Sequence, residues 1–167
     1  MANTYTLIAS VTVGSGGAST MGFTSIPATY TDLVVKISSR MSGAVRSTAV
    51  TLSLNGSSSS FTAKYLYGSG SAAGSYSGTT AIADSDGANA TSNTFGSQEI
   101  YIPNYAGSTN KSFSVDGVQE DNQTEAYASL IAGLWSNTSA ITSITLTSSS
   151  GNFVQYSTAY LYGIKNS

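Results

Sequence analysis

The chain has 167 residues, of which only 8% are charged, and it carries a net charge of −2 with no histidine and no cysteine. An ordinary soluble domain is about 25% charged; here 32 Ser and 21 Thr stand where charges would be. Ser-His-Asp catalysis, His or Cys metal sites and disulfides are therefore excluded, and six scattered basic residues form no stripe for nucleic-acid phosphates.

In chain order, almost every segment alternates apolar and polar residues, the strand period. Tyr5, Leu7, Ala9, Val11 and Val13 alternate with Thr6, Ile8, Ser10 and Thr12, and the GSGG run at 14–17 ends this first strand. Met21 and Phe23 begin a second, closed by Pro27; Leu33, Val35 and Ile37 mark a third. Val50, Leu52 and Leu54 mark a fourth, followed by the turn signal Asn55-Gly56 and a strand from Phe61 to Tyr67. Residues 68–93 are rich in Gly, Ser, Ala and Asn and carry only brief strand-like material around Tyr76 to Ile82. This segment is expected to be a long polar loop or lateral arm, facing solvent or a neighbouring subunit. Strands resume at Gln98, Ile100 and Ile102, and again at Phe113 and Val115. AYASLIAGLW at 126–135 has the length of a short helix, but Gly133 and the β-rich context favour a strand buried on both faces. Ile144 and Leu146 continue the pattern, and a last strand runs from Phe153 to Ile164, with Val154, Tyr156, Tyr160, Tyr162 and Ile164 on one face.

About ten short strands and no convincing long helix predict an all-β fold, an antiparallel β-sandwich or barrel, forming one domain over 1–167. Aromatic and branched residues are too frequent for a disordered chain. No apolar run approaches the roughly 18 residues of a membrane span, and the N-terminus lacks the basic and continuous apolar regions of a standard signal peptide. The lack of cysteine fits assembly in a reducing cytoplasm.

One tetrapeptide, YLYG, occurs at 65–68 and again at 160–163. A branched-Thr-Leu triplet, a serine run and a phenylalanine precede each copy, with Val50 standing 15 residues before Tyr65 and Ile144 standing 16 before Tyr160. Each copy reads as the return strand of a hairpin begun by VTL or ITL, its closing glycine permitting a bend or bulge. Related hairpins in the two halves of a jelly roll would explain the echo; coincidence in a Tyr- and Ser-rich chain is the other explanation. Within each copy the two rings share one strand face and the leucine takes the other. If the leucines enter the core, Tyr65, Tyr67, Tyr160 and Tyr162 form an exposed aromatic patch suited to a subunit interface. The competing arrangement puts the rings inside.

Sites for chemistry are sparse. The acids Glu99, Asp116, Glu120, Asp121 and Glu125 are candidates for a glycosidase pair, but four of them crowd into one loop-like stretch, DGVQEDNQTE. No Ser-x-x-Lys or Gly-x-Ser-x-Gly setting exists for a serine nucleophile. DSDGAN at 84–89 resembles a fragment of a calcium loop through Asp84, Asp86 and Asn89, but Gly87 comes too early and position twelve is Phe95. A plain Asx-Gly turn accounts for it equally. Tyr101, Asn104, Tyr105 and Trp135 are candidates for sugar contacts; Trp135 fits core or interface packing better, whereas Tyr105, following Pro103-Asn104, is expected to be exposed and joins the interface candidates. No cofactor motif is present.

TYTLIASVTVGSGG, FTSIPATYTDLVVKISSR, NTFGSQEIYIPNYAGSTNKSFSVD, AGLWSNTSAITSITL and NFVQYSTAYLYGIKNS together resemble small virion proteins of tailed bacteriophages, especially marine and cyanobacterial ones. The likeness runs from about Thr4 to Ser167, interrupted around 68–90. It implies a jelly-roll-like domain without enzymatic motifs, located in the virion and assembled in the bacterial cytoplasm. It supplies no catalytic or metal residue. The resulting expectation is a capsid decoration protein, homotrimeric and bound to the major capsid protein; a receptor- or glycan-binding module of a tail fibre is the alternative.

Overall fold

The computed structural model describes residues 4–123 and 126–165. It is all-β. Twelve strands follow in order: β1 (Tyr5–Thr12), β2 (Thr20–Phe23), β3 (Asp32–Ser39), β4 (Ser47–Leu54), β5 (Phe61–Gly68), β6 (Ala73–Gly78), β7 (Ala81–Asp86), β8 (Gly96–Ile102), β9 (Lys111–Gln119), β10 (Tyr127–Trp135), β11 (Ile144–Ser148) and β12 (Thr158–Ile164). They form two antiparallel sheets, an eight-stranded one in the order β1-β12-β3-β8-β9-β10-β5-β6 and a four-stranded one in the order β2-β11-β4-β7. The chain passes repeatedly from one sheet to the other, giving the sandwich its jelly-roll-like character.

The core lies between the sheets. Val50, Leu52 and Leu54 of β4 and Ile144 and Leu146 of β11 form its centre on the small sheet; Leu33, Val35, Ile100, Val115 and Leu161 face them from the large one. Alternation decides this: in β9 every second residue is buried and every other one exposed, as a sheet with one solvated face requires. β10 is a strand, as its composition suggests, but one face only is buried. Gly133 in this strand serves close approach. A Cβ there would lie 2.1 Å from the Phe113 ring on the neighbouring strand. Trp135 is fully buried and stacks on Phe61, ring centroids 6.0 Å apart.

The Asn55-Gly56 turn forms, both residues having positive φ, 51° and 74°. The Asn55 side chain also ties this turn to the 140–143 loop, donating to the Ala140 carbonyl at 2.8 Å and accepting from the Thr142 backbone N–H at 2.8 Å.

Three expectations need correction. Residues 68–93 are not a loop or arm throughout: β6 lies at the edge of the large sheet and β7 at the edge of the small one, with Ile82 and Ser85 fully buried. Short side chains hid these strands, because Gly, Ala and Ser give weak alternation. The last strand begins at Thr158; Tyr156 sits in a turn with φ of 72° and is exposed. Finally, neither YLYG copy is the return strand of a hairpin with its triplet. β4 and β11 pair with each other in the small sheet, Leu52 opposite Leu146, whereas β5 and β12 stand near opposite edges of the large sheet. Each unit is a crossover between layers.

The two copies also present opposite faces. Leu161 is buried and Tyr160 exposed, whereas Leu66 is exposed and Tyr65 buried. Their glycines differ as well. A Cβ on Gly163 would meet the Tyr30 ring at 2.3 Å, so that residue is a seat for a ring, not a bend; Gly68 faces open space.

Candidate functional site

Two surfaces stand out. The first is the outer face of the eight-stranded sheet. One cross-strand row runs Ser10, Tyr160, Lys36, Glu99, Asp116, Leu130, Leu66 over neighbouring strands β1, β12, β3, β8, β9, β10 and β5. Its first part is polar. Glu99 and Asp116 stand opposite each other, a pairing of like charges, and the Lys36 ammonium bonded to Glu99 offsets it. That bond holds the Lys36 pKa above its usual value. The far part is apolar: Leu66 is 57% exposed, Leu130 56% and Val118 53%. With Ala73 and Ala128 these side chains line a broad depression of about 610 Å³ toward the β6 edge.

The second surface is a cleft of about 360 Å³ at the same end of the molecule, where β7, the edge of the small sheet, packs on β8, β9 and β10 and leaves β5 and β6 beyond it. Its walls have different chemistry. The large sheet supplies Tyr65 and Tyr67 from β5, Tyr76 from β6, and Tyr127 from β10. The small sheet supplies Ser47 from β4 and Asp84 from β7.

The aromatic wall is pre-shaped. Tyr65 and Tyr76 are cross-strand neighbours and stack in parallel, centroids 4.3 Å apart and planes 5° apart. Tyr67 tilts against both Tyr76 and Tyr127, at 6.1 Å and 6.2 Å. Two glycines of β6 make room for the rings: a Cβ on Gly74 would come within 2.7 Å of Tyr67, and one on Gly78 within 2.7 Å of Tyr65. Tyr76, between those glycines, remains 52% exposed. Burial raises the Tyr65 pKa to about 12, with the Tyr76 ring and the Asp84 carboxylate adding to the shift. Burial likewise raises the pKa of Asp84, against the opposing effect of the Ser47 hydroxyl.

The interface candidates do not converge. Tyr65 and Tyr67 line the cleft; Tyr160 lies on the outer face and Tyr162 is half-buried with an edge-on contact to Tyr5 at 6.2 Å. The expected patch of four outward rings does not form, because the copies are in opposite phase. Tyr105, expected to be exposed, is fully buried: its hydroxyl donates to the Pro27 carbonyl and accepts a bond from the Tyr30 backbone N–H at 3.4 Å. Asn104, with φ of 49°, lets the chain turn inward just before it.

The other sugar-contact candidates serve structure. Asp32 accepts from the Tyr101 hydroxyl at 3.0 Å and from the Asn104 backbone N–H at 2.9 Å. Of the candidate acids, Glu99 and Asp116 face each other across β8 and β9 with Lys36 bonded to Glu99, and the others are dispersed. Asp121 is buried in a two-point bond with Arg46, at 3.0 Å and 2.8 Å, and this partner holds its pKa below the ordinary carboxylate range. Glu120 accepts the Asn122 backbone N–H at 2.7 Å, and Glu125 lies outside the described residues. The calcium-loop oxygens point apart. Asp84 faces the cleft, buried Asp86 accepts from the Gln119 amide at 2.5 Å, and Asn89 donates to the Ala44 carbonyl at 3.0 Å. Among the described residues no group of three or more metal-ligating side chains occurs.

Sequence reasoning missed the cleft, since Ser47, Tyr76 and Tyr127 come together only through sheet order. The weak signal was GSYSG at 74–78, a tyrosine set between glycines on one strand face. Comparison with family models, with curated proteins and with solved structures gives no match for this chain.

Proposed function

We propose that this chain is a non-enzymatic structural protein of a bacteriophage virion, a decoration that binds the major capsid protein and cements the assembled capsid from outside as a homotrimer. The observation that carries this reading is the apolar part of the outer sheet face. Leu66, Leu130 and Val118 each leave more than half of their surface in water on neighbouring strands, and monomers rarely leave such a patch without a partner. A partner that covers it gains about 25 cal/mol per Å² of apolar area removed from water. Binding the assembled lattice and not free subunits stabilises the lattice by mass action. Few charges elsewhere make such contacts insensitive to salt. The sequence resemblance points the same way. Counting copies in purified virions tests the proposal. A number matching the capsid subunit lattice supports it, whereas a number matching one set of fibres refutes it.

A second reading, a receptor- or glycan-binding module of a tail fibre, is favoured by the tyrosine cleft. Its open aromatic wall has the character of a ligand site. Copy number separates the two placements.

A further inference from the structure

We infer that the tyrosine cleft binds a neutral saccharide, with the sugar's C–H face on Tyr76 and Tyr67 and its hydroxyls toward Asp84. The inference deepens the glycan-binding reading and rests on it for its biological setting, although a capsid decoration could carry the same site. The geometry argues for it in three ways.

First, the cleft has two chemically opposed walls. A pyranose has apolar C–H faces and a polar rim, so a ligand lying between stacked rings and a carboxylate satisfies both. A purely apolar ligand would take the water from the Asp84 carboxylate and offer no hydrogen bond in return, which is costly. Second, charge narrows the class. Asp84 is the charged side chain of the lining, which contains no Lys or Arg. An acidic sugar or a phosphate would meet repulsion, whereas a carboxylate accepts short, strong bonds from hydroxyls. Third, the platform is built before the ligand arrives. Tyr65 backs one face of Tyr76 at 4.3 Å, and Gly74 and Gly78 leave the rings room to lie across β6. Glycine costs strand stability, and side chains already ordered lose little entropy on binding. An edge strand that places glycine on both sides of an exposed ring is organised around that ring.

The test is an amide-resolved NMR titration of the whole chain with maltotriose, cellotriose, mannotriose and chitotriose, and with glucuronate and choline chloride as charged probes. The expected result is saturable shifts at Tyr76, Asp84 and Ser129 with at least one neutral trisaccharide and none with glucuronate. Tyr76→Ala should weaken that binding at least about tenfold, the loss of one stacking contact, and Asp84→Asn should weaken it several-fold. Amides distant from the cleft report in the same spectra that each variant is folded; if Tyr76→Ala unfolds, Asp84→Asn alone decides. Three outcomes overturn the inference: no cleft shifts with any neutral trisaccharide, shifts with choline alone, which would make the cleft a cation cage, or binding unchanged in the folded variants. None of these alters the copy number in virions, so the failure of this inference remains distinct from a failure of the placement.

Discussion

Truncating the two leucines of the repeated tetrapeptide, Leu66→Ala and Leu161→Ala, makes the same chemical change in the same local sequence. The structure demands unequal results. Leu161 is fully buried between Ala9 of β1 and Val35 of β3 and belongs to the central cluster. Its truncation removes three carbons from a filled core and leaves a cavity, at a cost of about 2–5 kcal/mol. Leu66 is 57% exposed on the outer face, where substitutions usually stay within about 0.5 kcal/mol. For a domain of this size 1 kcal/mol moves the melting temperature by about 2–4 °C. A core loss near 3 kcal/mol therefore lowers Tm by about 6–12 °C, against about 2 °C or less for Leu66→Ala. Thermal unfolding followed by circular dichroism, with urea midpoints as a second measure, reads both. Equal losses, or a larger loss at Leu66, would refute the opposite-phase placement of the two copies. The reverse holds for assembly on the proposed capsid-decoration role: Leu66→Ala paired with Leu130→Ala should then weaken attachment to the capsid while the isolated protein keeps its Tm.

Three further outcomes follow from particular contacts. The Tyr65 hydroxyl titrates near 12 in the folded protein, above its ordinary value of 10.0; its contribution is therefore fully present below about pH 10 and lost as pH rises toward 12, so the wild type should lose stability through that window more steeply than Tyr65→Phe, as tyrosinate absorbance and unfolding midpoints will show. Asp121→Asn replaces a charged acceptor of Arg46 by a neutral one and should destabilise by about 1–3 kcal/mol, because the Asp121 carboxylate is fully buried and Arg46 partly exposed; since the pair holds the Asp121 pKa low, its contribution is present at neutral pH and fades as pH falls below the ordinary carboxylate range, which urea midpoints at neutral and acid pH can follow. Gly133→Ala drives a methyl to 2.1 Å from the Phe113 ring and should destabilise by about 1–3 kcal/mol, with Phe113→Leu recovering part of the loss in a double-mutant cycle.

Local alternation was enough to read most strands, the all-β class and the Asn55-Gly56 turn, because side-chain period and turn chemistry are properties of a few consecutive residues. It failed where that signal is weak: β6 and β7 are built largely from Gly, Ala and Ser, whose small side chains mark neither face. It also could not decide which face points inward. YLYG reads identically in both copies, yet Leu66 faces water and Leu161 the core, because the face is assigned by the sheet packed above and not by the tetrapeptide. Tyr105 looked exposed for the same reason; its burial depends on Tyr30 and on the Pro27 carbonyl, 78 residues away. The cleft is the extreme case. Ser47, Tyr65, Tyr76, Asp84 and Tyr127 become neighbours only because β7 packs over β8 to β10 and the large sheet continues past it into β5 and β6. Strand period belongs to the sequence, but strand order, register and sheet overlap are settled by burying one common core, and that is a property of the whole chain.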